Sequence, residues 1–246
     1  MRQWSALFMK DFKLTRIVLV IGLVINVLIG MLTLYMERAA GDSLIMFVPL
    51  ALAVVIHAAY VPIVVFVGLK SEGDQLPLWL HNPQSAYKLL SSKIANGFVM
   101  IVISLSTLYA MSRLLAEPKL SLIKPYWTDT WRAGWFVFPH LVWISIELGL
   151  WVIVLWALYR YLRLRIGRWS RAAVAGAAIL SVAIDSLAKA SAPYRLVAEW
   201  GGIAYTFPTL SSRSVQTYAG GYVYDFIIIV GLFMLAAWLV DNKVEG

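Results

Sequence analysis

Apolar positions along this chain gather into solid blocks, without the one-sided stripe of a soluble helix or the alternation of a half-buried strand. Six blocks stand out, at 17–36, 45–69, 94–115, 134–159, 172–188 and 222–240. A bilayer core takes about 20 consecutive apolar residues per helix, and these lengths are near that value. Lipid offers no water to backbone N–H and C=O groups, so each block is predicted to be a helix that closes its own hydrogen bonds. A transmembrane barrel is disfavoured, because its strands are short alternating segments. The predicted fold is all-α: a polytopic membrane protein of six transmembrane helices in a single domain, 1–246. The fifth block is the weakest, being short, rich in alanine and marked near its end by Asp185. A half-buried or re-entrant helix is its alternative.

The segments between blocks carry their own patterns. Over 1–16, Trp4, Leu7, Phe8 and Phe12 share one helical side and Arg2, Lys10 and Lys13 the other, which predicts an amphipathic interfacial helix along the inner leaflet. Asp11 interrupts its apolar arc; a plain start to the first span is the alternative. The segment 70–93 enters on Glu72 and Gly73, continues through Leu76, Trp79 and Leu80 at i, i+3 and i+4, and breaks at Asn82 and Pro83. Asn before Pro reads as a helix N-cap with proline in the first turn, so a second helix is expected to run from there into the third span. A solvated linker has no use for that apolar edge, which marks a contact surface. Tyr126, Trp127, Trp131, Trp135 and Phe136 precede the fourth block as headgroup-level anchors. The segment 190–221 is too apolar for a free loop and too broken for a span; it is expected to fold back as short helices over the outer mouth, with an anchored outer loop as the alternative.

Charge then orients the bundle. Lysine and arginine are retained on the cytoplasmic side. Placing both termini inside puts Arg2, Lys10, Lys13, Arg16, Lys70, Lys88, Lys93, the five arginines of 160–171 and Lys243 there. The outer segments keep a smaller set spread over longer stretches. The net charge of +8 is accordingly a topology and anionic-lipid signal, and nucleic-acid binding is disfavoured for want of a soluble basic surface. The location expected is a cell membrane, bacterial and cytoplasmic. The first block is long and lacks a small-residue cleavage site, so it is read as a retained span. Cysteine is absent, which removes disulfides, thiolate metal sites and cysteine nucleophiles.

Centring each block in a bilayer puts Asn26, His57 and Glu147 near mid-depth, with Ser104, Ser106 and Thr107 close to that level. Polar groups at such depth face the bundle interior, where they line a pathway or pair with one another. Asn26, His57, Ser104 and Glu147 are therefore candidate substrate-pathway residues, with Glu147 and His57 expected to meet each other or the cargo. The alternative is that each is satisfied separately, as glue between helices. Ala172, Gly176, Ala173, Ala177 and Ser181 form a small-residue stripe suited to close helix packing. No zincin, nucleophile-elbow, phosphate-loop or dinucleotide motif occurs, and three histidines make a histidine-rich metal site improbable. No catalytic residue, metal ligand or cofactor is assigned to the chain, which is read as a non-enzyme.

The segment 72–95 resembles the membrane subunits of the type-2 ABC exporter family. The resemblance rests on Glu72-Gly73, Leu76-Pro77-Leu78-Trp79-Leu80, Asn82-Pro83 and Tyr87-Lys88-Leu89-Leu90 leading to Lys93-Ile94-Ala95. The order of the segments, from amphipathic start to long outer segment before the last span, is similar to that family as well. The chain departs from the strongest members in His81-Asn82 before the proline and in having no fused ATPase domain. The resemblance implies an exporter permease for an amphipathic or hydrophobic cargo such as a peptide, antibiotic or lipid-like molecule. It implies a second permease subunit, identical or paralogous, and two nucleotide-binding ATPase subunits that hold ATP and Mg. In that family's terms, Glu72, Gly73, Leu76, Trp79, Leu80, Asn82, Pro83, Tyr87 and Lys88 are ATPase-coupling residues. Two other classes stay open: a membrane regulator or scaffold that binds a cytosolic partner, and a membrane-embedded enzyme built on Glu147, Asp185 and the histidines.

Overall fold

A computed structural model of the protein describes residues 2–40, 45, 47–73, 85–116, 120–209 and 214–244. It is mostly helical, and among the described residues five continuous stretches are long and apolar enough to cross a membrane, where six blocks were expected. The difference lies in the fourth stretch, Tyr126–Ala190, whose 65 residues hold both the fourth and the fifth expected spans. Helix α5 (Leu120–Ile166) ends at Gly167, which adopts φ +56°, a conformation costly for any residue with a Cβ. A three-residue 3-10 turn, Gly167–Trp169, then leads into α6 (Ser170–Ala190). Glu147 of α5 lies within electrostatic reach of Asp185 and Lys189, so α6 returns along α5 and the stretch doubles back on itself.

Helix α1 (Arg2–Ala40) is continuous over 39 residues, about 58 Å at 1.5 Å per residue. The separate interfacial helix expected over 1–16 is thus not a distinct element. Its first turns carry straight on from the span and pack on helix α4 (Ala86–Ala116), with Leu7, Asp11 and Thr15 buried. The second span is broken: α2 (Phe47–Ile56), a 3-10 turn at His57–Ala59, then α3 (Tyr60–Gly73). Pro62 brings no N–H to the helix ladder, and Ser145 of α5 steps in at the break, its hydroxyl accepting from the Val61 N–H at 3.0 Å.

Helix α3 is the centre of the bundle. Val61, Val64, Val65 and Leu69 are buried against α4 and α5, beside Leu90, Met100, Ile101, Leu150 and Ile153. Glycines let the helices close on it: a Cβ at Gly97 would stand 2.9 Å from Val61 Cγ1, and one at Gly149 2.7 Å from the same carbon. The small-residue stripe of α6 behaves differently. A Cβ at Gly176 would meet nothing within 4 Å, and Ile179 and Leu187 are 72% and 73% exposed. Ala172 and Gly176 are exposed, while Ala173, Ala177 and Ser181 on the adjoining side are half-buried. Exposed Val20, Val24, Leu28 and Met31 on α1 extend an apolar outer surface that suits lipid rather than water.

Contacts along the chain sort the two ends of the bundle. Trp4 meets Ser91, Lys10 meets Glu72, and Asp241, in the π-helical segment Val240–Val244, accepts from the Ala86 N–H at 3.1 Å. The start of α1, both borders of 74–84 and the end of helix α8 (Ala219–Leu239) therefore share one end. At the opposite end lies the segment 190–221, described over 190–209 and 214–221. It holds α7 (Ala192–Ala198), then an antiparallel hairpin of β1 (Gly202–Tyr205) and β2 (Val215–Tyr218), with Gly202 opposite Tyr218. The expectation of short helices alone is corrected here. The β-branched and aromatic residues Ile203, Tyr205, Val215 and Thr217 recur at every second position, which favours a pleated ribbon over a helix. Gly201 takes φ +67° to enter it.

Asp129 of α5 fastens this segment: its Oδ2 accepts from both the N–H and the hydroxyl of Thr209, each at 2.8 Å. Phe136 adds a ring contact to Tyr205 at 4.7 Å. Asp129→Ala removes both acceptors, and hydrogen exchange over 202–218 is expected to accelerate while the helices keep their protection. Unchanged exchange in the hairpin would show that the aromatic contacts alone hold it.

Candidate functional site

The loop-side end of the bundle is built on buried charge. Lys93 of α4 is buried, and its Nζ lies 2.7 Å from Glu72 Oε2 at the end of α3 and 3.1 Å from Asp11 Oδ1 on α1. Lys10 pairs with the other oxygen of Glu72. Ser92 Oγ donates to Asp11 Oδ2 at 2.6 Å, and one turn along, Asn96 Nδ2 donates to Thr15 Oγ1 at 2.6 Å. Two carboxylates and two ammonium groups thus close a neutral network joining α1, α3 and α4. Neutrality is what makes buried charge tolerable here, and Asn96 Oδ1 is left without a hydrogen-bond partner among the described residues.

Of the expected coupling residues, Glu72 sits in this network and Gly73 ends α3. Tyr87 is half-exposed and set edge-on against Phe233 of α8 at 5.9 Å, and Lys88 is exposed beside it. Leu76, Trp79, Leu80, Asn82 and Pro83 lie outside the described residues. The helix expected to follow the Asn-Pro break is present from Ala86 and runs unbroken through the third span. Asp11, Ser92 and Lys93 as network members escaped the sequence reading, although a signal existed. Asp11 is the charge that interrupts an otherwise apolar helical face, and that face is the one the fold buries.

Three of the four expected pathway residues meet at mid-bundle. Ser104 Oγ accepts from Asn26 Nδ2 at 3.1 Å and lies 2.9 Å from His57 Nε2. His57 Nδ1 lies 2.7 Å from the Ala53 carbonyl oxygen, to which it must donate, so in a neutral ring Nε2 accepts from the serine. Tyr60 stacks on the His57 ring at 5.7 Å and 15°. Asn26 Oδ1 is buried without a hydrogen-bond partner among the described residues. The 3-10 break at 57–59 is what turns the histidine onto this cluster. Ser106 and Thr107 are exposed, and the Thr107 hydroxyl returns to its own helix at the Ile103 carbonyl.

Glu147 is not brought to His57. Its charged neighbours are Asp225 of α8 and Lys189 and Asp185 of α6, the last two ion-paired at 2.8 Å. The structure thus forms two polar regions where the sequence reading placed one layer. Helix rotation decides this: Ser104 and His57 face α1, whereas Glu147 faces the α6 and α8 side. No family model, curated protein or solved structure matches this chain. Among the described residues no group of three histidine, cysteine or acidic side chains could hold a metal. The arrangement offers an ionic junction at one end of α1, α3 and α4 and, farther along, a hydrogen-bonded cluster joining α1, α4 and the 57–59 turn.

Proposed function

We propose that the chain is a membrane permease subunit whose 72–93 element takes mechanical force from separate ATPase subunits and passes it to the bundle. The observation that carries this reading is the ionic closure at the base of that element. Glu72 and Lys93 stand on either side of 74–84 and are joined at 2.7 Å, with α1 held to both through Lys10 and Asp11. A passive linker between spans needs no such clamp. With it, displacement of the element moves the ends of α1, α3 and α4 as a unit. Those helices also carry Asn26 and Ser104, and His57 lies in the turn that opens α3, so motion at the loop end reaches the mid-bundle cluster. By this reading the loop-side end is cytoplasmic, and the arginines of 160–171 face the same leaflet. Arg160, Arg163, Arg165 and Arg168 each lie over an aromatic ring there, an arrangement suited to a phospholipid surface.

The partners in this reading are two ATPase subunits carrying ATP and Mg, and a second permease copy or paralogue. The cargo is amphipathic or hydrophobic, and its movement follows from different affinities for the two conformations of the pair. Cysteines introduced at Tyr87 and Lys88, treated with a bifunctional thiol crosslinker in intact cells, are expected to capture an ATP-hydrolysing subunit. Its turnover, measured in the reconstituted complex, is expected to respond to added amphipathic cargo. Capture of an ATPase whose turnover ignores every cargo would mark a regulator, and no capture at all would overturn the reading.

A further inference from the structure

At the end of the bundle away from the loop, α2, α4 and α5 part to leave a cleft of about 450 Å³. That is within the roughly 300–1,000 Å³ typical of small-molecule sites. Its body is lined by Leu50, Val54, Leu105, Leu108, Phe138 and Leu141, and among the described residues no acidic side chain lines it. Polarity is confined to one margin, where Ser112, Thr130 and the exposed Arg113 stand. The Arg113 guanidinium lies 5.6 Å from the centroid of the Trp131 ring, which in turn packs on Tyr109 at 5.0 Å. The cation is thereby kept at the rim, beside its aromatic partner, and stays out of the apolar body.

We propose that this cleft seats one acyl chain of an anionic phospholipid from the surrounding membrane, with its phosphate on Arg113. Three features select that occupant. Val55 lines the cleft and is also 66% exposed, next to exposed Val48 and Leu52, so the cleft is continuous with the apolar surface that faces lipid. From Arg113 to Leu105 the helix rises about 12 Å, a depth that needs an extended apolar tail. An arginine at the rim, with no acidic side chain among the described lining residues, favours a net negative head over a zwitterionic one: both offer a phosphate to the guanidinium, but the choline ammonium brings a like charge beside it. The seat exists independently of the ATP-driven reading, and either can fail alone.

The test uses the full chain in phosphatidylcholine nanodiscs with a trace of phosphatidylglycerol carrying a diazirine at its acyl terminus. After photolysis, adducts mapped by mass spectrometry are expected at the deep end of the cleft, around Leu50, Val54, Leu105, Phe138 and Leu141. Unlabelled phosphatidylglycerol is expected to compete at about tenfold lower concentration than additional phosphatidylcholine, whose choline cation is repelled by Arg113. Arg113→Gln should erase that preference, and Val54→Trp, which fills the cleft, should remove the adducts. The comparison of the two competitors on the unaltered chain needs no variant. Equal competition by the two lipids would overturn the proposal. So would adducts spread evenly over the exposed faces of α1 and α6, which indicate annular lipid alone. Displacement by a transported cargo better than by phosphatidylglycerol would overturn the choice of occupant.

Discussion

Lys93→Met should lower the thermal stability of the purified protein more than any other single substitution at the loop end. The lysine is 3% exposed and lies between Asp11 and Glu72, both largely shielded from solvent. Removing it strands two carboxylates close together with only Lys10 to balance them. Breaking one member of a buried ion pair costs about 3–5 kcal/mol, because the partner's charge stays buried without compensation. Lys93→Arg keeps the charge and is expected to recover part of the loss. The triple change Asp11→Leu, Glu72→Leu, Lys93→Met is expected to recover more, since apolar groups of similar volume often replace buried ions at little cost. Detergent-solubilised samples followed by fluorescence-detected size exclusion after heating would rank the four proteins. A Lys93→Met protein that melts with the parent would mean the network is solvated and exerts no clamp. In a complex that still folds, the triple variant separates stability from function, because it restores packing without the ionic closure. ATP turnover in it is expected to continue while its response to cargo falls.

The second large effect is steric. Gly149→Val should destabilise the bundle by about 1–3 kcal/mol, the cost of forcing extra carbon into a close-packed interior. At this position even a Cβ would stand 2.7 Å from Val61 Cγ1, a methyl that also lies 2.9 Å from where a Cβ at Gly97 would be, so the neighbour has little room to yield. Valine gains some helix propensity over glycine, which makes the net loss a lower bound on the strain. Combining it with Val61→Ala opens the space and should restore much of the melting temperature in the same assay. A Gly176→Val change on α6, where nothing lies within 4 Å, is the control and should be close to neutral in the isolated chain.

The five long apolar stretches were legible as blocks because hydropathy is a local property and a bilayer imposes one length scale on every helix. The fourth and fifth blocks were also seen, but as separate spans; Gly167 joins them into one stretch that folds back on itself. The start of α1 was read as a helix with the right two faces, and its attitude was missed. An amphipathic pattern reports that one face is apolar, and packing on another helix satisfies it as well as lying on a membrane does. The segment 190–221 was singled out by its composition, while its hairpin depended on pairing Ile203 with Thr217.

At the candidate site the same division holds. Asn26, His57 and Ser104 were picked out individually, because a polar residue inside an apolar block is conspicuous wherever it points. That three of them converge while Glu147 joins α6 and α8 depends on helix rotation and on the 3-10 break at 57–59, neither of which is written in residue spacing. The sequence by itself determined a helical membrane bundle, the positions of its polar residues and the unusual chemistry of 70–93. Only the tertiary structure decided that Asp11 and Lys93, 82 residues apart, share a buried ion pair. Burial of a charge is settled by what packs around it, and those neighbours come from helices distant in the chain.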